Sequence, residues 1–147
     1  MSELGELVKQ ELELRDCGHG YDPDTESYTP WYRLRFRVEY VDEIGDGYKG
    51  TTNLLKKEIK ISDTLETTRA LYHEILHADL EPLNIVFRIA LPLGTWLYFT
   101  HKASDNVYAQ LLATFVGLLA VPASIAITDV VSELHISYQE FKKFDLQ

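Results

Sequence analysis

Cysteine is nearly missing from this chain of 147 residues: Cys17 is the only one, so no intrachain disulfide can form and a reducing compartment is expected. Positive charge is also scarce. Lys and Arg number 14 against 23 Asp and Glu, a formal net charge of -9, and no basic stripe offers itself to phosphates, so nucleic acid is not an expected partner. The opening residues, Met1-Ser2-Glu3-Leu4-Gly5-Glu6, are acidic and lack an apolar core segment, so no cleavable signal peptide is expected. Internal repeats and low-complexity tracts are absent as well. What is present is about one domain's length of chain with 46% apolar residues, enough for a substantial core.

The densest chemical signal is His73-Glu74-Ile75-Leu76-His77. Four residues make roughly one helical turn, so both imidazoles project from one face and can bind one Zn²⁺ at about 2.0–2.1 Å. Glu74 lies one step round from His73, where its carboxylate can reach a metal-activated water and act as general base. The flanks read as helix. Asp63-Thr64-Leu65-Glu66 has the form of a capping box, apolar residues recur at helical spacing after it, and Pro82 bars an uninterrupted ladder, which predicts a helix over residues 64–80.

Ahead of the motif the pattern is that of strands, and the expected class is α+β with a small antiparallel sheet. Alternation predicts strands over residues 7–15 and 31–41, the second with Leu34, Phe36, Val38 and Tyr40 opposite Arg33, Arg35, Arg37 and Glu39. The Arg ladder reads as a solvated sheet face. Residues 18–30, rich in Gly, Asp, Ser and Pro, predict a loop; Gly45-Asp46-Gly47 predicts a turn into a third strand over residues 53–61.

Beyond Pro82 the composition changes. Residues 106–128 form a run of 23 without a charge, long enough for a membrane-spanning helix, and residues 83–100 are a weaker span interrupted by Arg88, Pro92 and Gly94. Trp96, Tyr98 and Tyr108 lie near the connection, where aromatic residues often meet headgroups. Residues 83–128 therefore predict an apolar helical hairpin inserted within a single domain of residues 1–147; it is either transmembrane or buried in a soluble cytoplasmic protein. A hairpin returns the chain to its starting side, so the third metal ligand is expected among residues 129–140, on a C-terminal helix. Asp79 and Glu81 would have to fold back to reach the metal. His135, about 200° round a helix from Glu133, cannot share one ion with it. His135 and Tyr138 are also candidates to stabilise a developing oxyanion. Cys17 and His19 could block the metal in a latent form, against the plainer reading of an ordinary loop.

An HExxH followed by a hydrophobic hairpin and then a helix bearing Glu133-Leu134-His135-Ile136-Ser137 resembles the gluzincin zinc metallopeptidases. The layout is most similar to the YugP-like membrane zinc peptidases, with HtpX-type proteases and minigluzincins as relatives in outline. The resemblance implies a zincin-like metallopeptidase domain in which His73, His77 and Glu133 ligate Zn²⁺, Glu74 is the catalytic base, and Ser137 supports a ligand histidine where many gluzincins have Asp. It departs from the family at Leu76, where Gly is frequent. The strand over residues 53–61 would be the rim on which a peptide or protein substrate adds. The implied function is zinc-dependent hydrolysis of peptide bonds at the cell membrane, with the catalytic side cytoplasmic because Arg69, Lys142 and Lys143 outweigh Lys102. A non-catalytic membrane-associated zinc-binding or scaffold module is the alternative.

Overall fold

The computed structural model describes residues 3–42, 44–45, 48–62, 66–103 and 106–146. In chain order the elements are α1 (Glu3–Leu14), β1 (Tyr21–Asp22), β2 (Ser27–Tyr28), β3 (Phe36–Val41), β4 (Gly50–Asn53), β5 (Glu58–Ser62), α2 (Thr67–Lys102) and α3 (Val107–Phe144). They divide into two compact units, one made of Met1–Leu80 with His135–Gln147, the other of Glu81–Leu134.

The first unit is α+β, but its sheet is mixed. The strand order is β1-β2-β3-β5-β4, and β3 pairs with β5 in parallel, Val38 opposite Ile59 and Tyr40 opposite Ile61. The expected single strand over residues 53–61 is in fact two: β4 runs along the edge and turns back through residues 54–57 as β5, with Asn53 Oδ1 accepting the Lys56 amide at 3.0 Å inside the turn. Because β5 comes home beside β3 in the same direction, an all-antiparallel sheet is impossible here. The loop expected over residues 18–30 holds the short β1–β2 hairpin, Tyr21 opposite Tyr28.

Residues 7–15 also depart from expectation, lying in a helix and not a strand. The Leu12/Leu14 alternation misleads: Val8 and Leu12, four apart, are buried at 2%, whereas Leu14 is exposed. That is the helical period, and it puts Val8 and Leu12 into one core with Tyr28, Phe36, Val38, Ile59, Ile61 and the Leu71, Ile75 and Ala78 face of α2. Each large aliphatic or aromatic side chain so buried contributes about 1.5–3 kcal/mol. Cys17 belongs to this core; burial pushes its thiol pKa up despite Lys143 and Arg15, which leaves little thiolate for a metal. The end of α3 is fastened to the end of α1 by Arg15 Nη1 donating to the Lys143 carbonyl at 2.9 Å and by Lys143 Nζ donating to the Asp16 carbonyl at 2.8 Å.

Helix α2 does not stop before Pro82. A proline at that position removes the amide that would bond the Ala78 carbonyl. Tyr32 Oη fills the vacancy, donating to Ala78 O at 2.7 Å, while Trp31 Nε1 donates to Asp79 O at 3.1 Å. With both carbonyls satisfied, the helix has no reason to end. The expected capping residues Asp63, Thr64 and Leu65 lie outside the described residues, as do Asp46 and Gly47 of the expected turn.

The second unit consists of α2 and α3 segments joined by a short connection, and the expected C-terminal helix is continuous with the second apolar segment as α3. Polar contacts line the hairpin's inner side. Ser132 and Asn84 share a hydrogen bond of 2.9 Å, Arg88 meets Asp129 at 2.6 Å and Glu81 at 3.4 Å, and the Arg88 carbonyl freed by Pro92 accepts from Ser124 Oγ at 3.3 Å. Gly117 is required by space: a Cβ there would lie 2.8 Å from Trp96 Cβ. Both helices are long and apolar enough to cross a membrane, and only 11% and 22% of their most apolar windows are buried, whereas the core helix of a soluble protein is mostly covered.

Candidate metal centre

Residues 73–77 lie in α2, so the spacing read from the sequence becomes real geometry. Thr68, Leu71, Ile75 and Ala78 are buried, which turns the His73 and His77 side to a half-exposed position at the rim of the core. The two Nε2 atoms are 3.2 Å apart. Ligand atoms at about 2.0–2.1 Å from one tetrahedral zinc would be about 3.3 Å apart, so this pair fits such an ion.

The other nitrogen of His73 is oriented from α3. Nδ1 lies 2.9 Å from Glu140 Oε2, and a carboxylate can only accept, so Nδ1 carries a proton; in the neutral ring the lone pair is then on Nε2, the nitrogen that faces His77. Glu140 is itself held by the Arg69 guanidinium, which also reaches Asp145 at 3.1 Å. Burial of the Glu140 carboxyl raises its pKa, but the hydrogen bonds from Arg69 and His73 outweigh burial and hold it below the usual carboxylate range. It therefore stays ionised and keeps orienting His73.

Glu74, the residue between, is buried at 6% exposure. Thr52 Oγ1 on β4 lies 2.8 Å from its Oε2 and 3.1 Å from its backbone carbonyl, and Gly50 two residues earlier abuts the same side chain. A Cβ on Gly50 would stand 2.6 Å from Glu74 Cγ. The edge strand thus fixes the carboxylate from one side. A cavity of about 430 Å³, lined among others by Lys49, Gly50, Arg69, His73, Glu74 and Glu140, opens onto it.

The rim strand beside this carboxylate is β4, not the residue 53–61 strand expected from the sequence, since β5 is interior to the sheet. His73, His77 and Glu133 form a group that could hold a metal ion, with Glu133 exposed on α3. The competing carboxylates are engaged elsewhere: Tyr28 Oη donates to Asp79 Oδ1 at 2.9 Å, and Glu81 pairs with Arg88. Ser137, His135 and Tyr138 are exposed on α3, and at His73 the histidine-orienting bond comes from Glu140, a residue the resemblance does not mark. His19 is exposed beside Asp16, and Cys17 is in the core.

Two residues of the site escape sequence reasoning. Glu140 sits three residues beyond Ser137 with no motif to mark it, and Thr52 is one threonine among several. Their roles come from pairings across 67 and 22 positions of chain. Comparison of the chain with protein-family models, with curated proteins and with solved structures finds no match.

Proposed function

We propose that this protein is a membrane-held, zinc-dependent peptidase in which His73, His77 and Glu133 hold the ion and Glu74 is the general base. The observation that carries the proposal is the 3.2 Å separation of the His73 and His77 Nε2 atoms, with His73 oriented by Glu140 and the Glu74 carboxylate fixed beside them. Zinc bound there would lower the pKa of water toward about 7 and polarise a carbonyl oxygen.

The chain's own groups do the rest. Glu74 accepts a proton from the attacking water and returns it to the departing amine, while Thr52 keeps the carboxylate from swinging away. The edge strand β4 offers unpaired backbone to an extended substrate, and the cavity beside it, with Lys49 and Arg69, receives side chains. The apolar, largely uncovered helices support residence in a membrane. Arg69, Lys142 and Lys143 against Lys102 favour a cytoplasmic catalytic side.

Glu74→Gln preserves shape but cannot accept the proton. The variant should bind zinc as the parent does and lose on the order of 10²–10⁴ in casein hydrolysis. Equal cleavage by parent and variant would remove the assigned role. A zinc-loaded parent that cleaves no unstructured protein would instead favour a non-catalytic module.

Glu133→Ala tests the third ligand. Under a competing chelator it should lose zinc far more completely than Glu140→Gln, which disturbs only the orientation of His73 and should weaken binding by about 10–100-fold. Full zinc occupancy in the Glu133 variant would move the third ligand elsewhere.

A further inference from the structure

The turn over residues 29–35 presents a combination that neither the core nor the candidate metal centre uses. Trp31 is 66% exposed, yet its ring is not free to turn inward, because Nε1–H is spent on the Asp79 carbonyl. Tyr32 packs edge-on against it at 5.4 Å and is itself fastened to the Ala78 carbonyl. Next in sequence, Arg33 takes a left-handed φ of +61°, a conformation that costs a long side chain energy; its amide donates to the Pro30 carbonyl at 2.9 Å, while its guanidinium makes no hydrogen bond or ion pair among the described residues. Arg35 is exposed too, with only its Nε engaged, on Ser27 Oγ at 3.0 Å.

A large apolar ring with an engaged N–H, held outward beside two arginines, matches the chemistry of a bilayer surface, where indole sits at headgroup depth and guanidinium meets phosphate. The place of attachment points the same way. Asp79 precedes Leu83 by four residues, about 6 Å along α2, and Leu83 begins the run of exposed apolar side chains that continues through Val86 and Phe87. The net charge of -9 repels an anionic surface as a whole, so contact with one needs a local basic cluster of this kind.

We infer that the residue 29–35 turn docks on anionic phospholipid headgroups, Trp31 entering the interface and Arg33 and Arg35 meeting phosphates. The inference rests on the membrane reading of the apolar hairpin. The chain's two tryptophans allow the two to be tested apart. Trp96→Phe leaves Trp31 as the reporter of the turn, and Trp31→Phe leaves Trp96 as the reporter of the hairpin.

Each full-length single-tryptophan protein is reconstituted in phosphatidylcholine vesicles with or without phosphatidylglycerol, and quenching is read with lipids brominated at shallow or deep acyl positions. In vesicles containing phosphatidylglycerol, Trp31 emission should shift to the blue, be quenched by the shallow bromines and lose its sensitivity to aqueous acrylamide. Arg33→Glu with Arg35→Glu, in the Trp96→Phe protein, should reverse all three. If Trp31 stays as open to acrylamide as in detergent while Trp96 is quenched by lipid, the turn does not dock and the hairpin reading stands. If neither is quenched, the hairpin reading falls and takes this inference with it. Quenching of Trp31 that is indifferent to phosphatidylglycerol and to the charge reversals overturns the anionic headgroup as the partner.

Discussion

Gly50 owes its identity to a neighbour on another element. Its backbone needs no unusual φ, but any Cβ would collide with the Glu74 side chain, and the colliding partner is a carboxylate already held by Thr52. Gly50→Ala should therefore displace the carboxylate while leaving the histidine pair intact. In the proposed peptidase a displacement approaching 1 Å costs on the order of 10² in rate, so casein hydrolysis should fall by about that factor at unchanged zinc content. Unchanged hydrolysis would mean that the strand yields and Glu74 does not. Glu140 makes the complementary point. It stands seven residues beyond Glu133 on the same helix, and its bonds to His73 and Arg69 make it part of the site.

At the scale of the element, the feature that governs the molecule is α2 passing through Pro82. Proline normally frees a carbonyl and ends the ladder, at a cost of about 3 kcal/mol or more. Here the freed Ala78 carbonyl lies in the buried core and is taken by Tyr32. Tyr32→Phe should cost about 1–3 kcal/mol of stability, because it strands a buried acceptor. In a Pro82→Ala background the restored amide can serve that carbonyl, so the same Tyr32→Phe change should cost much less. Denaturant unfolding of the four proteins of this cycle gives the coupling, and purely additive effects would refute the compensation. The same device recurs at Pro92, whose freed Arg88 carbonyl is taken by Ser124.

For the whole molecule, the deciding quantity is how little of the apolar helices is covered. Exposed Leu, Ile, Val and Phe side chains along residues 83–131 would form a far larger water-facing patch than a soluble monomer tolerates. The protein should accordingly remain in the membrane pellet after extraction with alkaline carbonate. Recovery of folded, monodisperse protein in the detergent-free supernatant would make the hairpin a buried element of an assembly. The inner polar contacts, Arg88 with Asp129 and Glu81 and Asn84 with Ser132, suit either solvent because they satisfy one another, although Arg88 Nε is buried without a partner among the described residues.

The sequence by itself determined what is periodic and local. The His73-Glu74-Ile75-Leu76-His77 turn, the alternation over residues 31–41 and the uncharged run over residues 106–128 each carry their meaning in neighbours a few positions away, and each appears as the helix or strand it predicts, the strand only from Phe36 onward because residues 31–35 form a turn. Residues 7–15 failed the same test because two leucines two apart imitate a strand until the core shows that Val8 and Leu12, four apart, are the buried pair. Only the tertiary structure decided that the sheet is mixed, that β4 and not β5 is the edge beside Glu74, that α2 survives Pro82, and that Glu140 holds His73. The physical reason is common to all four: each depends on a hydrogen bond or strand pairing between residues far apart in the chain, and a carbonyl, a ring nitrogen or a strand edge carries no mark in the sequence of which distant group will satisfy it.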